Sequence, residues 1–150
     1  MGKHEFRVIV TGSRDLPSEE IVWSELAMLC AERLPEGGKI TVVHGDCPTG
    51  ADRYARTWCE LPAEPGYDLE VVEERHPADW AHCTADCYHR PRTNPDGSNR
   101  CPAAGPRRNN EMVALGADLV VAFPYGKSIG TRHCMAAADR AGIPVEVVER

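Results

Sequence analysis

Five short apolar runs, RVIVTG, KITVVHG, LEVVEE, ADLVVAF and PVEVVE, recur along the chain, and each of the four segments between them is long enough to hold a helix. Their valines and isoleucines are stiff at χ1 and suit a pleated strand, and each run is too short for a buried helix. The runs predict strands centred near Ile9, Val42, Val71, Val120 and Val147. Between the first two, Ser18 precedes Glu19 and Glu20, and Ile21, Val22, Leu26, Leu29 and Cys30 follow at helical spacing. That pattern reads as a capped amphipathic helix ending at Arg33. Further helices are expected from Ala51 to about Glu60, from Arg107 to Leu115 and from Thr131 to Ala141, each closing near a glycine or proline.

Strands that alternate with single helices need right-handed crossovers, so the sheet should be mainly parallel and covered on both faces. The expected fold class is α/β, a Rossmann-like three-layer sandwich around a five-stranded mainly parallel sheet. At 150 residues, 42% hydrophobic and 27% charged, residues 1–150 fit one domain with one core. The net charge of -6 gives no general field for nucleic acid or an anionic membrane, so a phosphate would have to be held by a defined site. The first strand run begins almost at the N-terminus, with no secretory apolar region and no bilayer-spanning stretch, which leads us to expect a cytoplasmic protein without a membrane partner.

In open α/β sheets ligands bind beyond the carboxyl ends of the strands, which singles out the loop after each strand. After the first strand come Thr11, Gly12, Ser13 and Arg14, offering close backbone approach, a hydroxyl and a guanidinium fork. After the second come His44, Gly45, Asp46 and Cys47, then Gly50, Ala51 and Asp52 at a helix start. After the fourth, Gly126, Lys127, Ser128, Gly130 and Thr131 lead into the last helix as an anion cradle. The P-loop order G-x-x-x-x-G-K-[ST] is absent, and so is GxGxxG after the first strand.

RVIVTGSRD, VVHGD followed by TGAD, HPADW, AGPRRNNEMVALGADLVVAF and GTRHCMAAADRAGIPV, taken in this order, resemble the YspA/cpYpsA-related branch of the SLOG superfamily. Its relatives include the cytokinin-activating LOG phosphoribohydrolases, the DNA-processing protein DprA, and sensors of signalling nucleotides. The resemblance implies a Rossmannoid fold and a nucleotide or nucleotide-derived ligand. It places ligand-binding positions at Gly12, Ser13 and Arg14, at Gly45, Asp46, Gly50, Ala51 and Asp52, at Arg108 and Asn109, and at Gly126, Gly130 and Thr131. It also implies a homo-oligomer.

The last segment departs from the LOG pattern. LOG enzymes carry a catalytic Glu shortly after their glycine-rich Thr, whereas here Arg132, His133 and Cys134 follow Thr131. Cleaving an N-glycosidic bond calls for a carboxylate to stabilise the oxocarbenium-like state or to activate water. The favoured expectation is therefore a binding module that senses or sequesters a nucleotide. The alternative is a nucleotide or nucleoside hydrolase using Asp46, Asp52 or Glu111, and the sequence leaves its catalytic residue unassigned. Arg107 and Arg108 lie at an expected helix start, where the dipole disfavours cations, which points Arg108 toward a ligand. A third class, a nucleic-acid binder using Arg90, Arg92, Arg100, Arg107 and Arg108, is disfavoured by the acidic balance.

Residues 81–106 break the rhythm, being too long and too polar for a strand-to-helix connection. Of seven cysteines, Cys30, Cys59 and Cys134 fall in helical patterns as small hydrophobes, while Cys83, Cys87 and Cys101 gather in this insertion. With His89 they make a three-thiolate, one-imidazole set suited to structural zinc. His82 competes with His89 for the fourth place, and free thiols or a disulfide are the other readings of the cluster.

Overall fold

A computed structural model describes residues 4–85, 87 and 89–149. In chain order the elements are β1 (Glu5–Gly12), α1 (Glu19–Arg33), β2 (Gly38–His44), α2 (Gly50–Cys59), β3 (Leu69–Arg75), α3 (Ala104–Ala114), β4 (Leu119–Phe123), α4 (Ile129–Arg140) and β5 (Val145–Val147). The strands form one sheet in the order β3-β2-β1-β4-β5, with every neighbouring pair parallel. Each expected strand centre lies inside its strand.

Side chains alternate across the sheet as a pleat requires. Phe6, Val8 and Val10 of β1, with Ile40, Val42, Val121 and Phe123, pack against Val22, Leu26, Leu29 and Cys30 of α1 and Ala51 and Ala55 of α2. Ile9, Val43 and Val120 point the other way, onto Met112 and Val113 of α3 and Cys134, Ala137 and Ala138 of α4. β4 is buried at all its positions, because both of its faces are covered, whereas the edge strand β3 is mostly half-buried or exposed.

Two helices begin at least two residues earlier than periodicity suggested, and α2 one residue earlier, at Gly50. α3 starts at Ala104 rather than Arg107, because the Ala104 N–H already closes a turn onto the Cys101 carbonyl (3.2 Å). α4 starts at Ile129 rather than Thr131, set up by Ser128 in the left-handed region (φ 46°). Ser18 caps α1 as expected, accepting from the Glu20 N–H at 3.3 Å. Among the described residues no helix is long and apolar enough to cross a membrane.

Candidate functional site

β1 leads into α1 on one face of the sheet and its neighbour β4 into α4 on the other, so the chain diverges beyond their carboxyl ends and leaves a crevice. The cleft there has a volume of about 1200 Å³. Its walls carry Gly12, Ser13, Arg14, Gly45, Asp46, Asp52, Arg108, Asn109, Gly126, Gly130 and Thr131. Gly50 and Ala51 do not line it; they stand behind the wall and hold it in place.

The wall is built by close backbone approach. A Cβ on Gly12 would meet the Ala51 Cβ at 2.5 Å and the Phe123 carbonyl oxygen at 3.0 Å. Ser13 then knots three elements together: its N–H donates to the Phe123 carbonyl (3.1 Å) and its carbonyl accepts from the Ala51 N–H (3.2 Å). Its hydroxyl accepts from the Asp15 N–H at 3.0 Å. Gly50 has φ +71°, and a side chain there would strike the Ser13 and Arg14 backbone. The Ala51 amide in the first turn of α2 is thus occupied by protein.

The second loop is held by a buried histidine. Asp46 occupies the left-handed region (φ 56°), and its N–H donates to His44 Nδ1 at 2.9 Å. Nδ1 therefore accepts, and His44 Nε2 carries the proton that it shares with Glu73 at 2.7 Å. Asp52 stands in the first turn of α2, as expected, but away from solvent. It is buried at the cleft floor, accepts from the Cys47 N–H (3.2 Å), and burial pushes its carboxyl pKa up.

α4 presents the most open backbone. Ser128 bonds the Tyr125 N–H and carbonyl (both 2.8 Å) instead of capping the helix, so no side chain caps α4. The N–H groups of Ile129, Gly130 and Thr131 are those that a helix start leaves unsatisfied. A Cβ on Gly130 would meet nothing within 4 Å.

Arg108 proves to be an organiser. Its guanidinium donates to the carbonyls of Gly45 and His76 (3.4 Å for the latter), and its Nε donates to Asn109 Oδ1 at 2.9 Å. Glycine at position 45 leaves room for this arrangement, since a Cβ would fall within the Arg108 guanidinium and displace it. Asn109 Nδ2 in turn reaches the Gly130 carbonyl (3.1 Å) and His133 Nδ1 (3.3 Å). Arg14 is the freer cation, its guanidinium 5.5 Å from the centre of the Trp80 ring.

Trp80, Arg100 and His133 also line the cleft and were not among the expected ligand positions. Lys127, expected in the anion cradle of the last loop, lines it as well. Trp80 and Arg100 come from the rim of the insertion, and only the tertiary fold turns that rim inward. Glu111, one of the candidate catalytic carboxylates, does not line the cleft and is exposed, 3.6 Å from His76.

The insertion gathers Cys83, Cys87, His89 and Cys101, whose ligand atoms all lie within 4.8 Å of one another, a group able to hold a metal ion. Cys87 and Cys101 sulfurs are 3.7 Å apart, and His89 Nε2 is 3.6 Å from Cys83 Sγ and 3.5 Å from Cys101 Sγ. All three thiols are free of disulfides. His89 Nδ1 donates to the Arg90 carbonyl at 2.7 Å, which leaves Nε2 as the ligand atom. His82 is turned away and pairs with Asp79 at 2.9 Å. The Thr84 N–H on Cys87 Sγ leads the contacts that lower that thiol's pKa to about 6. Arg107 is no solvated surface charge: its Nη2 donates to the sulfurs of Cys101 (3.3 Å) and Cys87 (3.6 Å).

The sequence model of the YspA, cpYpsA-related SLOG family matches residues 6–82, which carry the first two cleft loops and the strand that follows them. The chain belongs to this family. It is also similar to the Gene 61 protein of Mycobacterium phage D29, at 41% identity over 139 residues, covering 93% of each chain. The SLOG match ends at His82, one residue before the first cysteine of the cluster. The α3 and α4 parts of the cleft also lie beyond it.

Proposed function

We propose that this SLOG protein binds a nucleotide or nucleotide-derived ligand in the cleft at the carboxyl edge of its sheet, as a sensing or sequestering module. The observation that carries the reading is the convergence of three strand-end loops on one crevice whose far wall is the uncapped start of α4. A phosphate suits that helix start, where free N–H groups and the positive end of the dipole coincide. Lys127 stands on the loop beside it, and Arg14 and Arg100 line the same cleft. Trp80 offers a ring face for a base, and Asp46 an acceptor for a ribose hydroxyl. Calorimetry of the metal-replete protein against mononucleotides, dinucleotides and cyclic ADP-ribose-type compounds tests it. Saturable binding of at least one class is expected, and silence across the panel refutes the reading.

A hydrolase is the second reading, favoured by Asp46, a non-glycine residue held at φ 56° at the cleft wall, since strained backbone collects at working sites. Asp46 or Asp52 would then supply the carboxylate. Product analysis after incubation with the same panel distinguishes turnover from binding.

We further propose that the cysteine cluster holds structural zinc. Tetrahedral bonds of about 2.3 Å to sulfur and about 2.0 Å to nitrogen give edges of about 3.8 Å between sulfurs and about 3.5 Å from sulfur to nitrogen. Three of the six separations, at 3.7, 3.6 and 3.5 Å, match those edges, and all six lie within 4.8 Å. Three thiolates leave such a centre with net negative charge, and Arg107 is placed to offset it. Native mass spectrometry should find one zinc per chain and would report the subunit number, for which a homo-oligomer is the expectation. A stoichiometrically metal-free protein would overturn the assignment.

A further inference from the structure

Asn109 has a role beyond lining the cleft. It is buried, and both ends of its amide are committed: Oδ1 accepts from Arg108 Nε at 2.9 Å, and Nδ2 donates to the Gly130 carbonyl at 3.1 Å. Reversing the amide would set donor against donor at Arg108 and acceptor against acceptor at Gly130, so its orientation is fixed twice. The second hydrogen of Nδ2 is left for His133 Nδ1, at 3.3 Å. A ring nitrogen that accepts a hydrogen bond carries no proton, so the proton of neutral His133 must reside on Nε2.

From this network, and building on the nucleotide reading above, we infer that His133 is a neutral hydrogen-bond donor for a phosphate of the ligand, with Asn109 as the residue that fixes its tautomer. His133 stands three residues after Gly130, on the same side of α4, and helical side chains lean back over the turn before them. Its ring therefore lies over the uncapped first turn. The Nε2–H has no protein acceptor among the described residues, and His133 lines the cleft. In the free protein the positive end of α4 disfavours the imidazolium form. Burial works the same way, lowering the pKa of His133, with Arg140 adding to the effect.

The test is ring-nitrogen NMR of His133 in the full-length, metal-replete protein, titrated with AMP and, separately, with inorganic phosphate. The free protein should show a single Nε2–H tautomer, and Asn109→Asp, which offers an acceptor where Asn109 Nδ2 was a donor, should move the proton to Nδ1. His133→Gln, which keeps a donor at the same reach, should hold AMP affinity within about threefold, while His133→Phe should lose about tenfold or more. Because Asn109 is buried, the His133 variants serve as the readout should Asn109→Asp fail to fold. An Nδ1–H or mixed tautomer in the parent protein, or AMP binding that leaves the Nε2 signal unmoved, overturns the inference while leaving the nucleotide reading intact. If phosphate moves the Nε2 signal and no nucleotide binds, the inference holds and the nucleotide reading falls. If neither ligand moves it, the inference is wrong.

Discussion

Glycines and arginines at the cleft divide by what surrounds them. Gly12 faces the backbone of β4 and the Ala51 side chain, all buried, so Gly12→Ala should destabilise the fold by about 1–3 kcal/mol, measured by urea unfolding. Gly130 faces open space within α4, and alanine is the better helix former by up to about 1 kcal/mol. Gly130→Ala should therefore leave stability equal or higher while weakening the nucleotide, because its methyl group would sit over the amides that receive phosphate. Stability and affinity falling together in that variant would count against a ligand on α4. Arg14 and Arg108 part in the same way. Arg14→Ala should cost binding alone, about 1.5–3 kcal/mol or roughly 10- to 150-fold in Kd, with thermal stability unchanged. Arg108→Ala removes bonds to two backbone carbonyls and to Asn109, and should lower Tm as well as affinity.

Elements are linked to one another through the insertion. The Cys101 N–H donates to the Trp80 carbonyl (2.7 Å), the Cys101 carbonyl starts α3, and Gly105 lies so close under the Trp80 ring that a Cβ there would sit 2.8 Å from it. The cysteine cluster thus anchors the ring that faces Arg14 and the first turn of the helix that carries Arg108 and Asn109. Between Trp80 and Cys101 the chain has one isolated bridge, Thr93 to Asn99, and Cys101 is its only member of the buried apolar core among the described residues. Removing metal by chelation, or Cys87→Ser, should release amide protection across residues 81–103 and in the first turn of α3 while β1, β2 and β4 stay protected, as hydrogen exchange would read. By linkage, nucleotide affinity should fall in the same samples, and bound nucleotide should raise metal affinity by the same factor. Protection unchanged without metal would show that the insertion is held by protein contacts alone.

At the scale of the molecule, the open side of the sheet is tied by charge. Arg7 of β1 grips Glu74 of β3 through two hydrogen bonds, at 2.8 and 2.6 Å, and His76 adds a third at 2.7 Å. The Arg7 hydrogen bonds are the main cause holding the Glu74 carboxyl at about 2, against an ordinary value of 4.5. A depressed carboxyl contributes stability that is present above pH 4.5 and is lost as pH falls toward 2. Glu74→Gln should remove that part of the acid slope, roughly 1 kcal/mol after solvent screening is allowed for, in urea midpoints measured from pH 6 to pH 2. Asp52 acts with the opposite sign, since burial raises its pKa, so the difference between Glu74→Gln and the parent protein is the readout rather than either curve alone.

Local chemistry decided a good deal by itself. Strands follow from runs of β-branched residues, α1 from a capped amphipathic pattern, and the metal-ligand set from soft side chains crowded into a segment without periodicity, since each of these signals is complete within a few neighbouring residues. The alternation of strand and helix also implied a parallel sheet. The order β3-β2-β1-β4-β5 was not legible, because strand pairing joins residues far apart in the chain, as Val8 and Leu119 show. The parts of single side chains were hidden for the same reason. Arg108 reads only as a ligand cation until Gly45 and His76 bring their carbonyls to it, and Asp52 only as a helix-start charge until packing buries it. His133 carries no signal at all until α3 lays Asn109 beside it. Which groups a side chain meets, and how much water remains around it, depends on elements folded against one another, and only the tertiary structure decided those.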